Sequence, residues 1–160
     1  MKNTTATVLR VDSHLAKFSQ GCVVTLTGLA FLFNLPIVVL ITALALMLSL
    51  LLPTANPFKL LYQRVVLPLN LLHQRIVEDD PAPHRFAQGI GAAFLLASSV
   101  IFSLTHAAVV GWALDLIVFV LAGINLSIGF CAGCLVYYHL GRLGVLPRVR
   151  YEGGFHWRGV

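Results

Sequence analysis

The sequence predicts an all-α membrane protein with four transmembrane helices, arranged as two tandem helical hairpins related by a pseudo-twofold axis, plus short cytoplasmic interfacial helices. Three observations predict it. Of 160 residues, 58% are hydrophobic and 11% charged, against roughly 45–50% and about 25% in an ordinary soluble domain. Charge is nearly absent from two long stretches, and the pattern that opens the first of them recurs at the start of the second. A mean hydropathy of +0.87 also excludes a disordered chain, which needs low hydrophobicity and high net charge.

The 41 residues from Phe18 to Phe58 contain no Asp, Glu, Lys or Arg, and the 56 from Phe86 to Gly141 contain only Asp115. One helical span needs about 20 apolar residues, so each stretch holds two. Asn34-Leu35-Pro36 is the turn signal in the first, which places spans near 18–34 and 36–52, with Pro36 in the first turn of its helix. The second stretch turns at Thr105-His106, giving spans near 86–104 and 107–126. The first apolar run is not a signal peptide, because no small-residue cleavage site follows it and a second span begins almost at once.

The net charge of +5 and pI of about 9.5 read as topology and not as nucleic-acid binding. All eleven basic residues avoid the two hairpin turns: Lys2, Arg10 and Lys17 precede the first span, Lys59, Arg64, Arg75 and Arg85 separate the hairpins, and Arg142, Arg148, Arg150 and Arg158 follow the last. By the positive-inside rule both termini and the central loop are cytoplasmic. The chain is one membrane domain, with a first repeat near 12–77, a second near 80–140 and a cytoplasmic tail over 141–160.

Lys17-Phe18-Ser19-Gln20-Gly21 and Arg85-Phe86-Ala87-Gln88-Gly89 share the order basic, Phe, small, Gln, Gly at an offset of 68 residues. An acidic residue and a His precede each: Asp12 and His14, then Asp80 and His84. Asn56 after the second span and Asn125 after the fourth extend the register at an offset of 69. Two copies of a two-span unit have the same orientation, which sets the axis along the membrane normal. Gln20 and Gln88 sit one turn inside, where an unpaired amide is costly, so they either bond to each other and to neighbouring helices or line a polar site.

Residues 58–77 carry Lys59, Gln63, Arg64, Gln74 and Arg75 among apolar side chains, too polar to span, with Pro68 near the middle. They predict a short amphipathic helix on the cytoplasmic leaflet, where basic residues suit anionic lipid. Glu78, Asp79 and Asp80 with Pro81 and Pro83 predict a solvated linker. After the fourth span a single helix from Ala107 to Tyr138 would be 32 residues, about 48 Å at 1.5 Å per residue, far beyond a hydrocarbon core of about 30 Å. Gly129 is the natural break, which puts Cys131 at the start of a new helix.

Cys131-Ala132-Gly133-Cys134 is the second distinctive feature. At a helix start, exposed backbone N–H groups and the helix dipole favour a thiolate on the first Cys, and the second can resolve a mixed disulfide. Cys22, near the cytoplasmic end of the first span, lies at similar depth. The pair equally fits small-residue packing, since Cys behaves as a small hydrophobe. A zinc site would use Cys131, Cys134 and His139 and needs a fourth ligand from Cys22, His14 or His84. Asp115, well inside the fourth span, must face the bundle interior, be protonated or find a donor such as His106 or Trp112, in a structural or a proton or ion role.

These pieces together resemble the bacterial membrane family designated domain of unknown function 4395. The resemblance rests on Asp12 with His14 before Phe18-Ser19-Gln20-Gly21-Cys22, on Asn56-Pro57-Phe58, on Asp80-Pro81-Ala82-Pro83-His84-Arg85-Phe86-Ala87-Gln88-Gly89, and on Gly129-Phe130-Cys131-Ala132-Gly133-Cys134. It implies a bacterial inner-membrane protein with a recurrent Cys pair, and no activity.

The leading expectation is a thiol-disulfide or sulfur-transfer role, with Cys131 as nucleophile, Cys134 as resolving thiol and Cys22 as a third participant. Its substrate would be a disulfide, a persulfide or a thioredoxin-like partner. The alternatives are a non-catalytic accessory or assembly subunit of a larger membrane complex, and a small-solute carrier acting as a homo-oligomer. Gln20, Gln88, His14, His84, Arg85 and Asp115 form the further polar candidates, and no motif calls for a cofactor.

Overall fold

Proline and an Asn in the left-handed region set the first hairpin of the computed structural model, which describes residues 10–52, 56–66, 68, 76–78, 81–104 and 107–144. Helix α1 (Ser13–Leu32) ends where Asn34 adopts φ 52°. The Leu35 N–H then reaches back to the Ala30 carbonyl at 2.9 Å and the Asn34 N–H to Phe31 at 3.3 Å, the pair of bonds that satisfies the last carbonyls of a helix. Helix α2 (Pro36–Leu51) starts directly on Pro36. It stops at Leu52 (φ −123°, ψ 82°), as the steric demand of the following Pro53 requires.

A short helix α3 (Pro57–Leu61) follows and winds into a π-helical turn over Tyr62–Val66. Asn56 caps it, its side-chain oxygen accepting the N–H of Phe58 at 2.9 Å and of Lys59 at 3.2 Å. Phe58, Tyr62 and Val66 are buried, so one stripe of this segment faces the bundle while Gln63 and Arg64 are exposed. The helical run ends at Val66, two residues before Pro68, where a break was expected; residues 67 and 69–75 lie outside the described residues. Ile76–Glu78 forms a strand, β2, paired antiparallel with β1 (Arg10–Asp12), whereas a helix and a solvated linker were expected there. Strand pairing supplies backbone partners that an isolated loop would have to seek in water.

Helix α4 (Pro81–Leu104) begins five residues before its expected start, at Pro81, since a proline is well tolerated where the N–H has no intrahelical partner. Helix α5 (Ala108–Ile128) ends on Gly129 at φ 71°, and α6 (Ala132–Arg142) follows. The length argument for a break at Gly129 agrees with this end. Asn125 lies inside the last turn of α5, not after it, because the helix runs on to Ile128.

Among the described residues, three helices are long and apolar enough to cross a membrane: His14–Leu32, Ala82–Leu104 and Ala108–Ile128. Of the four spans expected, α2 falls short. Its 16 residues extend about 24 Å at 1.5 Å per residue, less than a hydrocarbon core of about 30 Å. Ile37, Ile41, Leu44, Leu48 and Leu51 of α2 and Val109, Leu116, Val120 and Leu121 of α5 face outward, while Thr27, Thr42, Ser49, Ser98, Asp115 and Asn125 are buried. Apolar side chains outside and polar ones inside is the distribution that a hydrocarbon solvent dictates.

The most extensive interhelical packing runs between the hairpins, α2 on α4 and α1 on α5. Ala30, Ala43 and Ala92 are fully buried in the core with Val39 and Leu95. Small side chains let backbones approach, which is the main source of helix association where lipid is as apolar as Leu.

Candidate functional site

The loop from α5 to α6 is the most distinctive local structure. Gly129 takes the left-handed conformation that a side chain would strain, and its N–H bonds to the Asn125 carbonyl at 3.0 Å. The chain then reverses so that Cys131 becomes the N-cap of α6, its Sγ accepting the backbone N–H of Cys134 at 3.2 Å. The two cysteines are joined as a disulfide with their Cα atoms 5.2 Å apart, within the usual span of such a bridge.

α6 folds back on α4. Phe86 meets Tyr137 edge-on with ring centroids 5.4 Å apart. Gly133 lies so close to Ala87 that a Cβ there would stand 2.7 Å from the Ala87 Cα. At the start of the other hairpin Phe18 meets Tyr62 at 5.5 Å, so a Phe two residues before the paired Gln meets a Tyr of the following short segment in both halves.

Between these elements lies a cavity of about 130 Å³. Gln20 of α1, Leu46 of α2, His84 and Gln88 of α4, Asn125 of α5 and Cys131 all line it. The two glutamines that the repeat singled out therefore share one cavity with the first cysteine of the pair. Ser19 adds a hydroxyl, while Val23, Phe94 and Val118 supply apolar wall. Cys131 is only 3% exposed, and Cys134 is half-buried. Cys131 is thus nearly sealed from solvent while lining the cavity, and the wall matches a ligand with both apolar surface and hydrogen-bonding groups.

The other candidates lie elsewhere. Cys22 is a free thiol packed against the hydrophobic core; two residues from Gln20, it points to a different side of α1. Arg85 is exposed and donates through Nη2 to the Leu50 carbonyl at 3.0 Å, a cation at the C-terminal end of α2, where the helix dipole favours it. His14 is half-buried in the first turn of α1 and is not among the cavity residues. Asp115 is fully buried and does not line the cavity either. His139 is exposed beside the Tyr138 ring, and among the described residues no three His, Cys, Asp or Glu side chains are grouped as metal ligands. His106 and Asp80 lie outside the described residues.

Sequence reasoning missed Ser19 and Asn125 as cavity residues. Asn125 was legible only as a repeat marker, although a polar side chain in an apolar helix is itself a signal. The arrangement has a clear chemical capacity. If the disulfide opens, the Cys134 N–H and the α6 N-terminus both face the Cys131 sulfur and stabilise negative charge on it.

Neither the curated proteins nor the solved structures provide a match to this chain. Residues 11–142 match the family model described as domain of unknown function, DUF4395, and the chain belongs to that family.

Proposed function

We propose that this protein is a multi-pass membrane thiol-disulfide exchange protein in which Cys131 meets a small thiol inside the cavity and Cys134, its disulfide partner, is the leaving group. The observation that carries this reading is that the disulfide-bonded Cys131, at the cap of α6, lines the same cavity as Gln20, Gln88 and His84. A merely packed cysteine pair has no need of a cavity beside it whose mostly apolar wall carries the two glutamine amides and a histidine.

In the forward direction a substrate thiolate attacks Sγ of Cys131, a mixed disulfide forms, and Cys134 leaves as a thiolate. A second substrate thiolate then attacks the substrate sulfur, so a substrate disulfide departs and Cys131 is left reduced. Two thiols have lost two electrons and two protons, and the cysteine pair has gained the electrons. A partner protein bearing a disulfide, of thioredoxin-like chemistry, restores the pair by the reverse exchange. Cys134 is the less buried residue of the pair and is the one that this partner meets.

In this reading α2 is a fourth, short span that the bilayer thins to meet. The two halves are a duplication about an axis along the membrane normal, in the bacterial inner membrane with both termini cytoplasmic. The confinement of basic residues to one side of the hairpins supports the orientation. The duplication is supported by the cross-packing of α1 on α5 and α2 on α4, by the paired Phe–Tyr contacts, and by capping residues Asn56 and Cys131 in corresponding places, a register that replaces the expected pairing of Asn56 with Asn125. Tyr62 and Tyr137, like Asn56 and Cys131, are 75 positions apart, against 68 for Phe18 and Phe86. The longer α5 accounts for most of the difference.

Alkylation of native membranes with a mass-tagged maleimide, before and after mild reduction, tests the reading. We expect Cys131 and Cys134 to label only after reduction, Cys131 the faster, and a small disulfide to protect both. Labelling of both without reduction, or labelling only after denaturation, sinks it in favour of an accessory subunit.

A further inference from the structure

Directly beyond the cavity floor, α1, α2, α4 and α5 each bury one polar side chain. Thr27 follows the cavity residue Val23 by four positions, Ser98 follows Phe94 by four, Thr42 precedes Leu46 by four, and Asp115 precedes Val118 by three. Residues three or four apart share a helix face, so all four continue the line of the cavity deeper into the bundle. Each is 0% exposed. On the far side the rings of Phe31 and Phe102 pack on Trp112 at 5.7 and 4.7 Å, again one turn away along α1, α4 and α5.

The hydroxyl protons of this layer are already committed. Thr27 donates to the Val23 carbonyl at 2.8 Å, Thr42 to Val38 at 2.8 Å and Ser98 across helices to Gly111 at 2.7 Å. What remains on these side chains is acceptor lone pairs. Neither carboxyl oxygen of Asp115 has a hydrogen-bond partner among the described residues. An ionised carboxylate left without a hydrogen-bond donor in a hydrocarbon setting is strongly disfavoured unless a positive species joins it. The faces of α1, α2 and α4 packed around this level bring no other Asp, Glu, His, Lys or Arg among the described residues, and His84 lies on the cavity side of the floor.

We propose that Asp115, with the hydroxyl oxygens of Thr27, Thr42 and Ser98 at its level, is an exchangeable proton-binding site inside the membrane, separated from the cavity by the floor residues Val23, Leu46, Phe94 and Val118. The site does not depend on the thiol chemistry, so either reading stands without the other.

Dicyclohexylcarbodiimide, a lipid-soluble reagent selective for protonated carboxyl groups, tests it on the full chain in nanodiscs. Mass spectrometry locates the adduct, and infrared spectra compare the native protein with Asp115→Asn. We expect an adduct on Asp115 whose yield falls as pH is raised and is unaffected by sodium or potassium, together with a protonated-carboxyl C=O band that Asp115→Asn removes. Absence of that band, a yield independent of pH, or protection by sodium or potassium at fixed pH overturns the proposal, the last by assigning the layer to a metal cation.

Discussion

The sulfur of Cys131 accepts the backbone N–H of Cys134 at 3.2 Å, so one atom both caps α6 and forms half of the disulfide. The two roles are separable by substitution. Cys131→Ser and Cys131→Ala both lose the disulfide, but serine retains an N-cap acceptor. We expect Cys131→Ser to be the more stable of the two by about 1 kcal/mol, the usual worth of a cap, as read from thermal unfolding in detergent. Equal stability of the two variants would show that the cap contributes nothing.

Gly133 is where α6 touches α4. A methyl group there meets the Ala87 backbone, which has no rotamer by which to move aside. Gly133→Ala is therefore expected to cost about 1–3 kcal/mol, the range for overpacking. Gly21→Ala, with nothing within 4 Å of the added Cβ, is expected to be neutral or stabilising by up to about 1 kcal/mol through helix propensity. Denaturation of the two variants in the same detergent makes the comparison, and a Gly133→Ala protein as stable as the native one would refute the close contact.

Replacement of both amides by Gln20→Met with Gln88→Met keeps side-chain length while removing the polar groups they contribute to the lining. We expect the helical circular dichroism to be unchanged and the rate at which a small thiol reduces the Cys131–Cys134 disulfide to fall severalfold. A rate unchanged in the double variant would mean that the cavity does not select what reaches Cys131.

Asp115 has no hydrogen-bond partner among the described residues, so an uncharged substitute loses little. Asp115→Asn is expected to change unfolding stability by less than about 1 kcal/mol, whereas removing one member of a buried ion pair costs about 3–5 kcal/mol. A loss in that larger range, measured by thermal unfolding, would reveal a cationic partner at the site.

Much of the helical framework was legible. The Asn34-Leu35-Pro36 turn and the break at Gly129 follow from local backbone rules and from the length a bilayer allows, and both appear at the expected residues. The pairing of Arg10–Asp12 with Ile76–Glu78 was not legible, because a three-residue strand has no periodicity to read and its partner is distant in sequence. The candidate site was legible in part. Gln20, Gln88, His84 and Cys131 were singled out and share the cavity, while Cys22, which topology places at a similar depth, turns to the core.

By itself the sequence determined that this is a chain of apolar helices, where most of those helices begin and end, and that Cys131 opens the helix that follows Gly129. Those outcomes depend on hydropathy, proline, glycine and the fixed rise of a helix, all local quantities. Only the tertiary structure decided that the two glutamines and the cysteine face one space, and that Thr27, Thr42, Ser98 and Asp115 occupy successive helices at one level beyond it. Depth along a helix is counted in residues. Which face meets which neighbour depends on close packing of small side chains across helices far apart in sequence, and hydropathy does not distinguish among those pairings.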